Sequence, residues 1–275
     1  MTATTAAAKK LRVLCLHGFR TNMEVMQDQT RGLREALGDA AEFVFLNGPF
    51  EAEGPSDNDI ERRYANRKPF YEWWRIQFHD GGDIEVNDAE SSAQLRKDAE
   101  DDAEEWSLLY GGLDDTLAYM DEQLRTHGPF DVVVGFSQGA VLLTVLSMWY
   151  LQHQNTRWWK LAICVCGVPV MAVNCRELFV DEHRRPMLVP FPSIHLIGQK
   201  DPLFDESHGL AAMWEDQPAG AAFDKLVIEH DGGHKFPSAS ERNQPFYEQL
   251  VRLIRQQCDR DADPCASGSC PSARL

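Results

Sequence analysis

The apolar residues of this chain fall into short continuous runs that alternate with longer segments of helical spacing. The runs predict buried strands at residues 11–16, 42–46, 131–135, 161–165, 194–197 and 226–228. Apolar residues at helical intervals lie between and after these runs and predict helices. They are Met23, Met26, Leu33 and Leu37, then Leu113, Leu117, Met120 and Leu124, and finally the apolar residues of 245–257. This alternation predicts an α/β protein, with helices on the faces of a mostly parallel sheet.

One long segment interrupts this alternation. Residues 51–105 are polar and rich in turn-forming residues, yet they contain Tyr71, Trp73 and Trp74. Long excursions between core elements are more often functional lids or loops than linkers. We therefore predict a lid-like insertion here. Its aromatic side chains either line an apolar substrate pocket or anchor the excursion onto the core, because aromatic rings bury a large area each.

The two ends of the chain differ in composition from the part between them. Residues 1–10 are small and polar and predict a flexible leader, and residues 258–275 predict a disordered tail. The chain has 275 residues, of which 43% are hydrophobic, enough for a substantial core. We expect one α/β domain over residues 11–257.

The charge of the chain narrows the classes of partner. Its formal net charge is −16, whereas nucleic acids are bound by clustered Lys and Arg. No apolar run approaches the ~20 residues that span a bilayer. We therefore expect no nucleic-acid partner and no stable insertion into a membrane.

Cysteine usage indicates a reducing compartment. The chain has seven cysteines, an odd number, and Cys15, Cys164 and Cys166 lie in apolar runs. Free thiols are typical of intracellular proteins, and the N-terminus lacks the apolar core of a secretory signal, so we predict a cytoplasmic protein. The three C-terminal cysteines lack the spacing of a zinc site, and no metal is predicted.

The segment Gly135-Phe136-Ser137-Gln138-Gly139 matches the G-x-S-x-G pattern of a nucleophilic serine. It directly follows a predicted strand and precedes an apolar helical stretch. A serine on such a sharp turn needs small neighbours, and it lies at a helix N-terminus, where free backbone N–H groups stabilise negative charge. This context identifies Ser137 as the candidate nucleophile.

A serine hydroxyl needs a base beside it, because it is a poor nucleophile at neutral pH. His234 follows the last predicted strand in a glycine-rich turn and is the candidate base. Asp201 follows the preceding strand and completes the chain order Ser–Asp–His. It is the candidate orienting acid, and Asp205 and Asp231 are the alternatives.

The negative charge that develops on the carbonyl oxygen also needs preorganised donors. One candidate is the backbone N–H of Gln138, next to the nucleophile. The other is the backbone N–H of Phe19, in the loop after the first strand, where Gly18 allows a close approach.

Together these segments resemble the FSH-type serine hydrolases. The resemblance covers about residues 11–257 and is carried by the pair Trp73-Trp74 and by five further segments: LRVLCLHGF, FLNGP, GGLDDTLAYMDEQLRTHGPFDVVVGFSQGA, PSIHLIGQKDPLF and HDGGHKFP. The GFSQG turn is also similar to that of the acyl-protein thioesterases. The chain departs from many FSH-type relatives at Arg20-Thr21-Asn22, where they carry a glutamine before the asparagine, and in its longer insertion.

The resemblance implies an α/β-hydrolase fold that works without a cofactor. It places Ser137, Asp201 and His234 at the triad positions and implies hydrolysis of small-molecule carboxylic esters of medium or long acyl chains. Thioester hydrolysis, including release of carrier-bound products, is the alternative. A serine peptidase or lactonase, or a scaffold that has lost catalysis, are further alternatives.

Overall fold

A computed structural model of the chain describes residues 9–78 and 108–262. The strands in these residues are β1 (Leu11–Leu16), β2 (Ala41–Leu46), β3 (Phe50–Glu51), β4 (Tyr71–Glu72), β5 (Arg75–Phe78), β6 (Leu108–Gly111), β7 (Val132–Phe136), β8 (Leu161–Val165), β9 (Ser193–Gly198) and β10 (Leu226–His230). Six of them form one sheet in the order β10–β9–β8–β7–β1–β2, and every neighbouring pair is parallel. All six predicted strands are confirmed, with ends shifted by no more than two residues.

Helices cover both faces of this sheet. The α-helices of the described residues are α1 (Met23–Gln29), α2 (Arg31–Leu37), α3 (Asn58–Arg63), α4 (Leu113–His127), α5 (Gln138–Gln154), α6 (Phe204–Ala212) and α7 (Gln244–Cys258). One apolar cluster joins the sheet to α4 and α5, and another joins it to α1, α2 and α7. Neighbouring strand residues such as Val13 and Leu14 belong to opposite clusters, because side chains alternate along a strand. The predicted α/β architecture, a parallel central sheet flanked by helices, is confirmed.

The middle of the sheet is the most deeply buried part. Every residue of β7 and β8 is buried, as expected for parallel strands with both faces covered. Helix α5 is buried on nearly all sides, which requires an apolar sequence around the whole helix. The turn between β7 and α5, which holds Ser137, is therefore fixed at both of its ends.

The helical spacing from residue 23 to residue 37 belongs to two helices rather than one. The chain breaks between α1 and α2 at Thr30, whose buried hydroxyl donates to the Met26 carbonyl at 2.7 Å. Met23 is 39% exposed and does not share the buried face. The sequence pattern missed the break because Met26, Leu33 and Leu37 face the same cluster from either side of it.

The predicted disordered tail begins too early. Helix α7 ends at Cys258, which is buried, and a 3-10 turn continues over Asp259–Ala262. The carbonyl of Cys258 accepts a hydrogen bond from Lys160 Nζ at 3.1 Å, which ties this end of the helix to the start of β8. The rest of the predicted tail, residues 263–275, lies outside the described residues, as does most of the leader.

The predicted insertion is described as far as residue 78. It contains α3, pairs β3 with β4, and adds β5 to β6 as a second two-stranded sheet. Residues 79–105 of the predicted lid lie outside the described residues, and the lid stays a prediction. None of the helices in the described ranges has the length and apolar character needed to cross a bilayer.

Candidate active site

The three predicted catalytic residues lie at one edge of the central sheet. Ser137 follows β7, Asp201 lies just beyond β9, and His234 lies just beyond β10. These strands are parallel, so their carboxyl ends meet at the same edge. This is the edge at which open α/β sheets bind their ligands.

The backbone at Ser137 is strained. Its φ of 51° and ψ of −118° lie outside the regions that ordinary residues favour. A side chain at Gly135 would collide with the Gly139 carbonyl, and one at Gly139 with the carbonyl of Leu16. This turn requires small neighbours, as predicted, and it points the first backbone N–H groups of α5 toward the edge of the sheet.

Asp201 and His234 are joined by a hydrogen bond of 2.8 Å between Oδ2 and Nδ1. The Asp201 side chain is fully buried, whereas that of His234 is 21% exposed. Burial alone would raise the pKa of Asp201, but hydrogen bonds from His234 and from the Leu203 N–H outweigh it and lower that pKa below its usual value. An ionised Asp201 holds the imidazole proton on Nδ1, which leaves Nε2 free to accept a proton.

The two rival acids lie elsewhere. Asp205 is exposed in the first turn of α6, and Asp231 is exposed and paired with Arg242. In the described residues neither carboxylate hydrogen-bonds to His234, and neither does the Ser137 hydroxyl. The His234 ring lies beside the Ser137 turn through its contact with Phe136, whose ring centroid is 5.1 Å away.

Cys166 forms a cluster with Asp201 and His234. The sequence did not identify it as a site residue. It follows β8, the strand between those that precede Ser137 and Asp201, and its ligating atom lies within 4.8 Å of those of Asp201 and His234. Burial and the charge of Asp201 raise the pKa of the Cys166 thiol, which therefore stays protonated. Its thiol donates to the Lys235 carbonyl at 3.9 Å, and its proximity to Asp201 contributes to lowering the pKa of that carboxyl.

Cysteine, aspartate and histidine are also side chains that bind zinc. In the described residues this cluster is the one set of three such groups close enough to share an ion. Asp201 and His234 are already hydrogen-bonded to each other, and the Cys166 thiol donates to the Lys235 carbonyl. The position of Cys166 at the end of a neighbouring parallel strand is the signal that could have identified it from sequence.

The loop after β1 is held by buried side chains around the Gly18 carbonyl. The Gly48 N–H donates to His17 Nε2 at 2.9 Å, so the ring proton lies on Nδ1, which is 2.7 Å from the Gly18 oxygen. The Thr21 hydroxyl donates to the same oxygen at 2.9 Å. Burial lowers the pKa of His17 to about 4, so the ring is neutral at neutral pH.

These contacts fix the direction of the predicted donor Phe19. The peptide unit is planar, with its C=O and N–H pointing in opposite directions. Two hydrogen bonds to the Gly18 oxygen therefore also set the direction of the Phe19 N–H. A Cβ placed on Gly18 would lie 3.4 Å from Cβ of Ser137, so this loop passes directly beside the serine. The contribution of Thr21 was not predicted from sequence.

The aromatic residues of the insertion contact this loop. Trp73 and Trp74 are 0% and 1% exposed, and the Trp73 ring stacks on the His17 ring at 4.9 Å. Tyr71 is half-buried, and its N–H donates to the Thr21 carbonyl at 2.6 Å. This burial supports the alternative in which the aromatic residues anchor the excursion. A role of these residues in lining a substrate pocket stays a prediction.

Gln138 contributes its side chain as well as its backbone. Its Oε1 accepts from the Trp73 N–H at 3.1 Å, and its Nε2 donates to the Trp74 carbonyl at 3.0 Å. The side-chain amide therefore provides a hydrogen-bond partner to one backbone group of residue 73 and one of residue 74. Sequence analysis assigned only the Gln138 backbone a role.

Comparison with known proteins gives one family. A family model described as serine hydrolase (FSH1) matches residues 4–246. The chain is 29% identical over 252 residues to the human protein named Esterase OVCA2, covering 89% of this chain and 97% of the human one. It is 27% identical over 258 residues to the Danio rerio protein of the same name, covering 90% of this chain and 99% of the relative.

Solved structures of similar topology were also found. The crystal structure of esterase PE8 is 19% identical and covers 92% of this chain and 96% of its own, with a TM-score of 0.47. One of two fungal esterases from Rhizomucor miehei is 13% identical and covers 94% of this chain and 78% of its own, with a TM-score of 0.49.

Proposed function

Since the chain belongs to the FSH1 family of serine hydrolases, we propose that it is a carboxylesterase that forms an acyl-enzyme on Ser137. The observation that carries this proposal is the partly buried Asp201–His234 hydrogen bond, formed at the same sheet edge as the strained Ser137 turn. The full-length relatives named as esterases support the same reaction class.

In the first step Ser137 attacks the acyl carbonyl as His234 Nε2 takes its proton. The ionised Asp201 stabilises the imidazolium that forms. Negative charge on the carbonyl oxygen is met by the backbone N–H groups of Phe19 and Gln138. His234 then gives its proton to the leaving alkoxide, and the alcohol departs.

In the second step water releases the acid. His234 Nε2 takes a proton from water, which attacks the acyl-enzyme, and the same two backbone donors stabilise the second tetrahedral intermediate. His234 returns the proton to Ser137. This sequence needs only the residues named here.

The proposed substrates are small-molecule esters of medium or long acyl chains, as the family resemblance implies. Thioester hydrolysis is the second candidate, favoured by the GFSQG turn that resembles the acyl-protein thioesterases. A thiolate would replace the alkoxide as leaving group, with the same intermediate. We propose a cytoplasmic location, and the five cysteines in the described residues, which are all buried and free of disulfide bonds, support it.

The test is hydrolysis of p-nitrophenyl esters from acetyl to palmitoyl by the native protein and by Ser137→Ala. We expect a rate that peaks at one chain length and falls by roughly 10⁴-fold or more in the variant. Ser147→Ala is the matched control, because Ser147 is buried in the same helix and donates only to the Leu143 carbonyl. Full activity of Ser137→Ala would contradict the proposal, and turnover of thioesters alone would favour the second candidate.

A further inference from the structure

Trp73 contacts the chain segments that carry both proposed oxyanion donors. Its indole N–H donates to the His17 carbonyl at 2.8 Å, in the loop that carries Phe19. Its backbone N–H donates to the side chain of Gln138 at 3.1 Å. A residue of the insertion therefore connects the two elements whose relative position defines the proposed oxyanion hole.

The strands that precede the two donors, β1 and β7, are paired in the sheet, and the Trp73 contacts continue this connection beyond the strand ends. Phe19 follows β1 and Gln138 opens α5, more than a hundred residues later. Donors stabilise an oxyanion only when both lie at hydrogen-bond distance from the position it will occupy, without reorganisation during the reaction. A buried contact that joins the two elements beyond the ends of their strands adds to this constraint.

Trp73 is itself fixed from several sides. Its carbonyl accepts a hydrogen bond from the buried hydroxyl of Thr116 in α4. The neighbouring Glu72 is 2% exposed, and its Oε2 lies 3.6 Å from Nε of Arg20 in the loop after β1. Together with the Gln138 side chain, these contacts hold residues 71–74 against the core.

We infer that Trp73 and the Gln138 side chain are positioning residues that set the distance between the Phe19 and Gln138 backbone donors. Residues 71–74 are then a fixed part of the catalytic site rather than a segment that opens to admit substrate. This inference rests on the proposed function and deepens it.

The test compares Trp73→Phe with Trp74→Phe. Both variants remove the same atoms from equally buried rings. In the described residues, however, the Trp74 indole N–H has no hydrogen-bond partner, so only Trp73→Phe loses a hydrogen bond. We expect kcat to fall about tenfold to a hundredfold in Trp73→Phe, with KM changed by about twofold or less, because removal of a whole donor costs ~10²–10³. Trp74→Phe is expected to lower kcat much less.

A second variant separates positioning from folding. Gln138→Met keeps the backbone donor and the approximate shape of the side chain but removes both hydrogen bonds to residues 73 and 74. We expect the same fall in kcat and an equal loss of affinity for a trifluoromethyl ketone inhibitor, whose hemiketal oxygen occupies the oxyanion position. Equal kcat losses in Trp73→Phe and Trp74→Phe, or a rise in KM with kcat unchanged, would overturn the inference.

A separate measurement keeps the inference independent of the substrate. The rate of covalent labelling by a fluorophosphonate depends on the same donors, because its phosphoryl oxygen enters the same hole. If the native protein is labelled but hydrolyses no ester, the proposed function fails, while slower labelling of Trp73→Phe than of Trp74→Phe still supports the positioning role. Equal labelling rates of native protein, Trp73→Phe and Gln138→Met would overturn it.

Discussion

The two sides of Ser137 are built in different ways. On the acid–base side, Asp201 and His234 each follow a strand of the central sheet and meet through one partly buried hydrogen bond. On the donor side, the neutral side chains of His17 and Thr21 hold the Gly18 carbonyl, and a segment of the insertion that is distant in the sequence contacts the same loop. The positions of the acid and the base are determined by the strands that precede them. The position of the donor loop after β1 is determined in part by a contact with a residue distant in the sequence.

The histidine hydrogen bonds on the two sides also differ in charge. Asp201 is ionised, and its charge is stabilised by donors that converge on it. His17 is buried and neutral at neutral pH, and it uses one ring nitrogen as donor and the other as acceptor. A hydrogen bond to a charged group contributes more than a neutral one. Substitutions on the acid–base side should therefore have the larger effect on rate.

The largest expected effect is that of Asp201→Asn. The asparagine amide would place a donor against Nδ1 and stabilise the wrong tautomer of His234, so we expect kcat to fall by roughly 10⁴-fold. Ester hydrolysis measured at neutral pH checks this. Asp205→Asn is the matched control, because Asp205 lies four residues away and is exposed. A comparable loss in Asp205→Asn would mean that the wrong carboxylate had been assigned.

A smaller effect is expected on the donor side, in the pH dependence of stability. The pKa of His17 falls from 6.5 to about 4 on folding, because burial disfavours the charged ring. The unfolded chain therefore binds a proton that the native state does not, and this contribution to stability is present above pH 6.5 and lost as the pH falls toward 4. The full loss is about 3 kcal/mol.

Urea unfolding of the native protein and of His17→Asn, at a series of pH values between 7 and 4, measures this contribution. The variant should be less stable at pH 7, and its stability should fall less steeply with acidification, since it lacks one titrating group. If the free energy of unfolding varied with pH in the same way in both proteins, His17 would be accessible to protons in the native state. The loop after β1 would then not be tightly buried.

Much of the acid–base side could be predicted from the sequence, because local patterns determine it. Buried strands are visible as apolar runs, and parallel strands bring the residues after them to one edge. This logic predicts that Asp201 and His234 lie near each other. It also predicts that Cys166 lies there, because Cys166 follows β8.

The donor side could be predicted only in part, because its contacts join residues that are distant in the sequence. Nothing local to Gln138 indicates that its side chain pairs with the backbone of residues 73 and 74. The sequence signalled only that two tryptophans lie in an otherwise polar stretch. Local patterns also missed the break at Thr30 and the helical end at Cys258, where tertiary contacts decide the outcome.

The central claim is that Ser137 is the nucleophile, and covalent labelling tests it most directly. The native protein would be treated with a fluorophosphonate, weighed intact by mass spectrometry and digested to locate the adduct. We predict one adduct per chain on the peptide that contains Ser137, and none in Ser137→Ala. An adduct on a different residue, or equal labelling of the variant, would contradict the account.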